Sequence, residues 1–191
     1  MKGTYLQQDK QAMQLSRYNN QWYNPGPGWK RAVWYVANTI FFNNSFAVFN
    51  GLKCFLLRLF GAIVGERVTI KPSVNIKYPW LLKIGNDVWI GERVWIDNLG
   101  IVSIANDVCI SQGTLLLTGN HNYKKRFFDL IIGKITIEDG VWIGANCTIC
   151  PDVTCKTHSV LSVGSVATND LEPYTVYQGV PAEKIRIRII N

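Results

Sequence analysis

The amino-acid sequence predicts an all-β solenoid, in which short parallel strands form the sides of a three-sided prism. Three observations predict it: an aliphatic residue recurs every sixth position, longer steps of eight separate groups of three such residues, and glycine or Asx residues follow the aliphatic positions. A β-sandwich would not keep this period over about a hundred residues. The recurring positions are Val64, Ile70, Ile76, Ile84, Ile90, Ile96, Ile104, Ile110 and Leu116, and then Ile137, Ile143, Ile149, Cys155, Leu161 and Ala167.

A six-residue period fits neither an α-helix nor a plain strand alternation, but it fits a coil with three flat sides. On each side the aliphatic residue and the residue two positions before it point inward, and the residue between them points outward. Polar turn residues such as Gly85-Asn86-Asp87 form the corners. One coil cannot bury its own apolar edge, so several coils must stack.

The chain divides into an N-terminal arm over residues 1–28, a helical cap over 29–61, the solenoid over 62–168 with a protruding loop at about 117–134, and a C-terminal extension over 169–191. The arm ends in Asn24-Pro-Gly-Pro-Gly28, a loop signal. Asn43-Asn44-Ser45 divides the cap into two predicted helices, with Ser45 as the N-cap of the second. In the extension, Lys184 to Arg188 is expected to form a short helix or strand.

The apolar helical cap has two interpretations that are compatible with each other. It covers the open end of the prism, where unpaired strand edges need a cover. Alternatively, it makes peripheral contact with a membrane, with Lys30, Arg31, Lys53 and Arg58 at the lipid headgroups. Neither predicted helix reaches the roughly 20 apolar residues that span a bilayer.

The composition restricts the functions that this chain can have. It contains 191 residues and has a formal net charge of +7. The positive charge suits an anionic ligand or surface, but the basic residues are dispersed and form no nucleic-acid motif, so no nucleic-acid partner is expected. Cys147 and Cys155 occupy inward positions, so we interpret Cys147-Thr-Ile-Cys150 as core packing and expect no metal site. Free thiols and a polar N-terminal segment indicate the cytoplasm.

The breaks in the period all fall at one corner. Steps of eight follow Ile76 and Ile96, and the largest excursion follows Leu116; if Ile131 restarts the register, nine extra residues lie there. Insertions collected on one face of a repeat protein commonly build its functional site. His121 lies in this loop, where a neutral imidazole can take a proton from a substrate hydroxyl. The alternative is a surface histidine without a function.

Two other sets of residues stand out. Trp89, Trp95 and Trp142 each precede an inward aliphatic residue, so they should point outward, and we interpret them as part of a subunit interface. His158, the second of two histidines, is expected to be an exposed turn residue. A zinc enzyme of the γ-class carbonic anhydrase type on such a prism would need three histidines.

Besides the six-residue period, the chain contains several short motifs that are typical of one family. They are Thr118-Gly-Asn-His-Asn-Tyr123, Val141-Trp-Ile-Gly-Ala145, Val163-Gly-Ser-Val-Ala-Thr168, Gly179-Val-Pro-Ala182, Phe55-Leu-Leu-Arg-Leu-Phe-Gly61, Lys71-Pro-Ser-Val74 and Tyr78-Pro-Trp80. Together they resemble the hexapeptide-repeat O-acetyltransferases, a group that includes galactoside, maltose and xenobiotic acetyltransferases, and the likeness is closest to the colanic-acid-type exopolysaccharide acetyltransferases. The resemblance implies a left-handed β-helix, a homotrimer with each active site between two subunits, and acetyl-CoA as the acyl donor, without a metal.

The resemblance also implies roles for individual residues. His121 would act as the general base, and Arg186 would bind a phosphate of coenzyme A. Lys184 is an alternative, because relatives often have a basic residue where Asn169 stands and another near Glu183. Relatives often have Asp at the position of Asn122, so a backbone carbonyl could orient the imidazole here. Residues implied along the pantetheine arm are Trp142, Gly144 and Ala145, followed by Val163, Gly164 and Thr168 near its outer part.

The acceptor site is expected around the insertion corner. Candidate residues for binding sugar hydroxyls are Glu92, Asp97 and Asn98 on earlier coils, together with Asn120 and Tyr123 beside His121, although the first three could be ordinary turn residues. The function that the resemblance implies is acetylation of a sugar hydroxyl in exopolysaccharide or surface-polysaccharide biosynthesis. The alternatives are acetylation of a small xenobiotic or a free sugar, and a non-catalytic β-helix scaffold.

Overall fold

A left-handed parallel β-helix forms the centre of the computed structural model, which confirms the predicted fold. The structure describes residues 12–191, so the first eleven residues of the predicted arm lie outside the described residues. The helices are α1 (Gly28–Phe41) and α2 (Asn50–Leu59), and short 3-10 turns cover Leu15–Arg17 and Pro79–Leu81.

Nineteen short strands follow the helices among the described residues. In chain order they are β1 (Ile63–Val64), β2 (Thr69–Ile70), β3 (Asn75–Ile76), β4 (Leu82–Ile84), β5 (Trp89–Ile90), β6 (Trp95–Asp97), β7 (Val102–Ile104), β8 (Cys109–Ile110), β9 (Leu115–Leu117), β10 (Gly119–His121), β11 (Leu130–Ile132), β12 (Ile135–Ile137), β13 (Trp142–Ile143), β14 (Thr148–Ile149), β15 (Thr154–Cys155), β16 (Val160–Leu161), β17 (Val166–Ala167), β18 (Thr175–Gly179) and β19 (Ala182–Ile187).

The prism has three parallel faces. The first face contains β1, β4, β7, β12 and β15; the second contains β2, β5, β8, β13 and β16; and the third contains β3, β6, β9, β14 and β17. The pairing aligns Val64 with Ile84 and Ile84 with Ile104, so the twenty-residue period of the sequence is the length of one early coil. The recurring aliphatic side chains fill the interior, where burial of each contributes about 1.5–3 kcal/mol.

The residues between the inward positions point outward, as expected. Trp89, Trp95 and Trp142 are 48%, 46% and 49% exposed, so their outward orientation is confirmed for the single chain. Cys147 and Cys155 are buried in the core, in agreement with a packing role. At the corners, Asp87, Asp107 and similar residues adopt φ near +58°, a left-handed conformation that Asx residues tolerate.

The insertion corner differs from the expectation in one respect. Ile131 does not restart the register, because it lies in β11 and pairs with Asn120 of the antiparallel strand β10. The coil therefore resumes at β12, where Ile137 pairs with Ile104. The coil that contains the insertion is thus 33 residues long, whereas the next coil, from Ile137 to its partner Cys155, is 18 residues long. The insertion thus holds fifteen extra residues rather than nine, and they form a hairpin that projects from the corner between the third and first faces.

The two helices cover the open edge of the first coil with polar side chains. The indole of Trp34 donates to the Ile76 carbonyl at 2.7 Å, and the Asn38 carbonyl group accepts from the Ile76 N–H at 3.2 Å. Lys53 donates to the carbonyls of Ile70 and Lys71 at 3.0 and 2.7 Å. These bonds satisfy strand groups that have no neighbouring coil to pair with.

The start of the second helix was wrongly predicted. Helix α2 begins at Asn50, and Ser45 lies in the preceding turn with its hydroxyl 3.4 Å from that of Ser73. Asn50 accepts from the Ile70 N–H at 2.7 Å and donates to the Val68 carbonyl at 2.8 Å. The contact with the first coil therefore sets the helix start, and no side chain caps the N-terminus of α2.

The far end of the prism is extended by an antiparallel hairpin. Strand β18 pairs in parallel with β16, and β19 returns along β18. The basic stretch from Lys184 therefore lies mostly in a strand, one of the two alternatives predicted. Arg188 follows this strand and donates to the carbonyls of Gly140 and His158 at 2.8 and 3.1 Å, which fastens the hairpin to the second face.

Candidate active site

His121 stands at the end of β10, where the hairpin leaves the rigid prism. Its Nδ1 lies 2.9 Å from the Phe128 carbonyl oxygen, and its ring stacks on the Phe128 ring with centroids 4.3 Å apart. Because a carbonyl can only accept, Nδ1 of the neutral ring carries the hydrogen and Nε2 keeps its lone pair. A backbone carbonyl thus orients the imidazole, and Nε2 is left as the proton acceptor.

A pocket of about 420 Å³ adjoins His121. The N-terminal arm forms one wall of it, held by a hydrogen bond of 2.8 Å from the Tyr23 hydroxyl to the Leu99 carbonyl and by the Tyr18 ring, 5.6 Å from the His121 ring. Burial raises the pKa of Tyr23, so this phenol stays protonated and keeps donating. Other lining residues are Asn20, Gln21, Pro25, Arg31, Lys77, Tyr78 and Leu130.

The arm was not predicted to reach the site. Its aromatic residues, such as Tyr18 and Tyr23, were a weak signal in the sequence, since such rings combine a large apolar face with a polar group. The arm has no period, and the Tyr23–Leu99 bond joins residues 76 positions apart, so no local pattern could reveal the contact.

Two of the predicted acceptor residues support the corner from inside. Asn98 is fully buried, and its amide accepts from the Tyr78 N–H at 2.9 Å and donates to the Tyr78 carbonyl at 2.7 Å. Asp97 is 9% exposed and accepts from the Lys77 ammonium at 2.8 Å. Both side chains therefore already have partners within the chain, and Lys77 is the member of this group that faces the pocket.

The other three predicted acceptor residues lie at the surface. Asn120 is exposed beside His121 and accepts from the His121 N–H at 2.7 Å, and Tyr123 is 73% exposed further along the hairpin. Glu92 lies elsewhere than expected: it is exposed at the corner between β5 and β6, not at the insertion corner. The two-residue extensions enlarge only the corner between the third and first faces, so Glu92 of the same chain is not beside His121.

A second cleft, of about 810 Å³, lies between the second face and the C-terminal hairpin. It brings together five of the seven residues predicted to contact coenzyme A, namely Trp142, Gly144, Ala145, Val163 and Arg186. Gly164 follows Val163 directly and donates to the Ala145 carbonyl at 2.8 Å. Thr168 lies apart from them, exposed at the corner after β17.

The cleft has a narrow floor and a positive rim. A Cβ atom on Gly144 would lie 2.7 Å from the Val163 nitrogen, so only glycine lets the two coils approach this closely. The indole of Trp142 donates to the Ser111 hydroxyl at 3.0 Å, which fixes the ring along the cleft wall. Among the described residues, Arg186 and Arg188 line the cleft and no carboxylate does, an arrangement suited to an anionic ligand.

The His121 pocket and the cleft lie at different corners of the prism. His121 projects from the corner between the third and first faces, whereas Gly144 and Ala145 form the corner between the second and third faces. None of residues 12–191 lines both cavities. One chain therefore does not place the imidazole beside its own cleft.

The second histidine has a structural environment. The His158 ring stacks on Tyr174 with centroids 4.8 Å apart, and its Nδ1 lies 2.7 Å from the Thr157 hydroxyl oxygen. It is a half-buried turn residue rather than an exposed one. Within residues 12–191, no three His, Cys, Asp or Glu side chains come together as a metal site would require.

Comparison with known proteins points to one family, although no protein-family model matches the chain. The chain is 34% identical over 160 residues to the candidate colanic acid biosynthesis acetyltransferase WcaF of Escherichia coli (strain K12), covering 84% of this chain and 88% of that protein. A hexapeptide-repeat acetyltransferase from Vibrio cholerae superposes with a TM-score of 0.75 at 25% identity, covering 83% of this chain and 90% of the other. A galactoside acetyltransferase in complex with coenzyme A gives a TM-score of 0.74 at 28% identity, covering 83% and 80%.

Proposed function

The chain belongs to the hexapeptide-repeat acetyltransferases, and on that premise we propose that it transfers an acetyl group from acetyl-CoA to a sugar hydroxyl in the biosynthesis of an exopolysaccharide or surface polysaccharide. The observation that carries the proposal is the orientation of His121, whose Nδ1 is held by the Phe128 carbonyl so that Nε2 is free beside a pocket. The names of the relatives, a colanic acid and a galactoside acetyltransferase, support a sugar as the acceptor.

Acetyl-CoA would bind in the larger cleft. Its pantetheine arm would run past Trp142, Gly144 and Ala145, with Val163 and Gly164 toward its outer part, and Arg186 would pair with a phosphate because a guanidinium suits that geometry. Lys184 stays the alternative for this last contact. Thr168 lies at a different corner, outside this cleft. The absence of carboxylates among the lining residues and the coenzyme A bound to the galactoside acetyltransferase support this location.

The sugar would bind beside His121, between the arm and the insertion corner. Tyr18 and Tyr23 offer ring faces, and Lys77, Asn120 and Tyr123 offer polar groups near the imidazole. Asp97 would act by positioning Lys77, to which it is bonded at 2.8 Å. The volume of about 420 Å³ suits one or two sugar rings of a longer glycan.

The proposed reaction is a direct transfer. Nε2 of His121 removes the proton of the acceptor hydroxyl while the hydroxyl oxygen attacks the thioester carbonyl carbon, forming a C–O bond. The tetrahedral intermediate then expels the coenzyme A thiolate, and the C–S bond breaks as the imidazolium returns the proton to sulfur. The Phe128 carbonyl stabilises the imidazolium by accepting from Nδ1. General-base assistance of this kind is worth about 10²–10⁴ in rate.

We also propose that the protein is a homotrimer whose active sites each combine two subunits. His121 and the cleft occupy different corners of one chain, so a neighbouring subunit would supply the histidine to the cleft. A cyclic arrangement with parallel prism axes repeats this contact three times. The second and third faces carry the exposed tryptophans, whereas outward positions on the first face include Lys83, Ser103 and Thr136. Glu92, at the corner that carries the cleft, would then lie nearer the neighbour's histidine than its own.

We place the reaction in the cytoplasm, where acetyl-CoA is available. The five cysteines form no disulfide with one another, and this supports a reducing compartment.

The proposal is tested by following release of the coenzyme A thiol from acetyl-CoA with a panel of acceptors. The panel contains lipid-linked oligosaccharides, nucleotide sugars, free sugars and small hydroxylated xenobiotics. We expect turnover with a glycan and a loss of about 10²–10⁴ in His121→Ala, with His158→Ala as the matched control that keeps its rate. Equal rates in wild type and His121→Ala would overturn the general-base role, and the absence of turnover with every acceptor would favour a scaffold.

A further inference from the structure

The helical cap has its polarity reversed relative to an ordinary surface helix. Helix α1 turns Trp34 and Asn38 toward the first coil, where both form hydrogen bonds with the strand edge. The opposite side of the helix would normally be polar. It instead exposes an apolar stripe of residues spaced by three or four positions, Trp29 (70%), Val33 (51%), Val36 (56%) and Ile40 (51%).

Helix α2 repeats the reversal. It buries the Lys53 ammonium and the Asn50 amide against the first coil, and it exposes Leu52, Phe55 and Leu59 by 39%, 58% and 65% on the opposite side. The segment between the helices adds Phe46, Val48 and Phe49, which are 87%, 63% and 73% exposed. We call these ten residues of α1, α2 and the connecting segment the cap face.

The direction of the cap face follows from the hydrogen bonds. The N–H and C=O groups of Ile70 and Ile76 that bond to the helices lie on the side of the strands opposite the next coil. In a stacked solenoid these groups point along the prism axis. The cap face, on the far side of the helices, therefore points away from the prism. Ten exposed apolar side chains on one face exceed what a soluble monomer normally leaves uncovered.

The charged residues of the cap helices and of the segment that connects them are all basic. From Lys10 to Gly65 the sequence contains no Asp or Glu. Lys30, Arg31 and Arg58 belong to the two helices and are at least partly exposed. The Lys53 ammonium is instead buried against the first coil, and Arg17 lies beside Phe127 of the hairpin. Lys30 lies with its ammonium 4.6 Å from the centre of the Trp80 ring, at the edge of the cap. An apolar face whose own segments carry cations and no carboxylate is complementary to a surface that is apolar within and anionic at its rim.

We propose that the cap face docks onto the surface of a lipid bilayer with anionic headgroups, with the prism axis pointing away from the membrane. Aromatic and aliphatic side chains would enter the headgroup region, and Lys30, Arg31 and Arg58 of the cap helices would meet lipid phosphates. No helix in the part of the chain that the structure describes is long and apolar enough to cross a bilayer, so the contact is with the surface. Arg31 of α1 also lines the His121 pocket, so docking would bring that pocket near the headgroups.

The consequence for the substrate rests on the proposed function. A pocket held near the membrane surface would take its sugar from an acceptor anchored in the lipid layer rather than from one that diffuses freely. The docking itself does not depend on catalysis, and it can be measured without acetyl-CoA or an acceptor.

Sedimentation with vesicles tests the docking. We expect the full-length protein to pellet with vesicles of phosphatidylcholine and phosphatidylglycerol, to bind pure phosphatidylcholine about tenfold more weakly, and to be partly released by salt. The variant Phe46→Ser/Phe49→Ser should lose at least about tenfold in binding. Val180→Ser/Ile185→Ser, two exposed apolar residues at the opposite end of the molecule, is the matched control and should bind like wild type.

Three outcomes would overturn the docking. The first is wild type remaining in the supernatant with anionic vesicles, and the second is the Phe46/Phe49 variant pelleting as well as wild type. The third is a particle mass in solution that the Phe46/Phe49 variant halves, which would assign the cap face to contact between copies of this chain. Retained thiol release by this variant with a soluble acceptor keeps a failure of docking distinct from a failure of the proposed catalysis.

Discussion

The Nδ1 atom of His121 lies 2.9 Å from the carbonyl oxygen of Phe128, seven residues later on the other side of the hairpin turn. The Phe128 ring also lies parallel to the imidazole, with an interplanar angle of 9°. One residue therefore fixes both the tautomer and the plane of the histidine. Its backbone has φ of +55°, a conformation uncommon for a bulky residue, which aims the carbonyl at the imidazole.

We expect Phe128→Gly to lower kcat by roughly tenfold, because the carbonyl stays but the ring that holds the imidazole plane is lost. Glycine tolerates the positive φ, so the change should not strain the backbone. Steady-state kinetics of acetyl transfer measure the effect, and KM for acetyl-CoA should not change. Phe127→Gly, one position earlier, is the control. An unchanged kcat in Phe128→Gly would mean that the hydrogen bond alone orients the ring.

Asn98→Ala should lower the free energy of unfolding by about 2–3 kcal/mol. The substitution leaves the Tyr78 N–H and C=O without the partners that the Asn98 amide supplies inside the corner. Denaturant titration measures the loss. Asn120→Ala, an exposed asparagine beside His121, should change stability by less than about 0.5 kcal/mol. If the two variants unfold at the same denaturant concentration, the buried amide does not support the corner.

Lys53 should make stability depend on pH. Burial lowers the pKa of Lys53 from 10.5 to about 8. Between these values the unfolded chain holds a proton that the folded protein has released, so the free energy of unfolding should rise with pH. Below about pH 8 both states are protonated and the contribution stays constant.

Denaturant unfolding of wild type and Lys53→Met between pH 7 and 10.5 isolates this contribution. The other tyrosines, lysines and cysteines titrate in both proteins, so the difference between the two curves reports Lys53. As pH rises, we expect the free energy of unfolding of wild type to increase relative to that of Lys53→Met. Parallel curves would show that the ammonium keeps its proton at the first coil.

A site shared between subunits should allow two inactive variants to rescue each other. His121→Ala removes the base, and Ala145→Trp fills the cleft, so each trimer should be inactive alone. Co-expressed in equal amounts, they should recover about a quarter of wild-type activity. Each site combines the cleft of one subunit with the histidine of its neighbour, and with random assembly each of these is intact in half of the subunits. Separately purified proteins mixed without subunit exchange serve as the control. No recovery in the co-expressed sample would place the whole site within one chain.

The solenoid was predictable because its register is local and repeats. Each inward residue identifies the next one six positions on, and the pairing of Ile84 with Ile104 confirms the spacing. His121 stood out as a candidate because it lies where the period stops. Ile131 has an apolar side chain at a plausible spacing, but its pairing with Asn120 depends on a hairpin that the period does not describe.

Contacts between distant segments were the part that the sequence could not supply. Tyr23 reaches Leu99 from an arm without periodicity, and α2 starts where Asn50 meets Ile70 rather than at the nearest capping residue. Glu92 and Asn98 are both polar corner residues, yet one lies at a different corner and the other is buried. Spacing identifies corners, but it does not distinguish a side chain that faces solvent from one that supports the turn.

The polar side chains that close the first coil also prevent the solenoid from being extended by other copies of the chain. A bare coil edge is a template to which the edge of another solenoid could add, and repeated addition would give a filament. The backbone N–H and C=O groups of that edge are instead bonded to the side chains of Trp34, Asn38 and Lys53. These groups are therefore not available to pair with a further strand. The cap thus keeps a repetitive structure finite, and a chain without it would be prone to polymerise end to end.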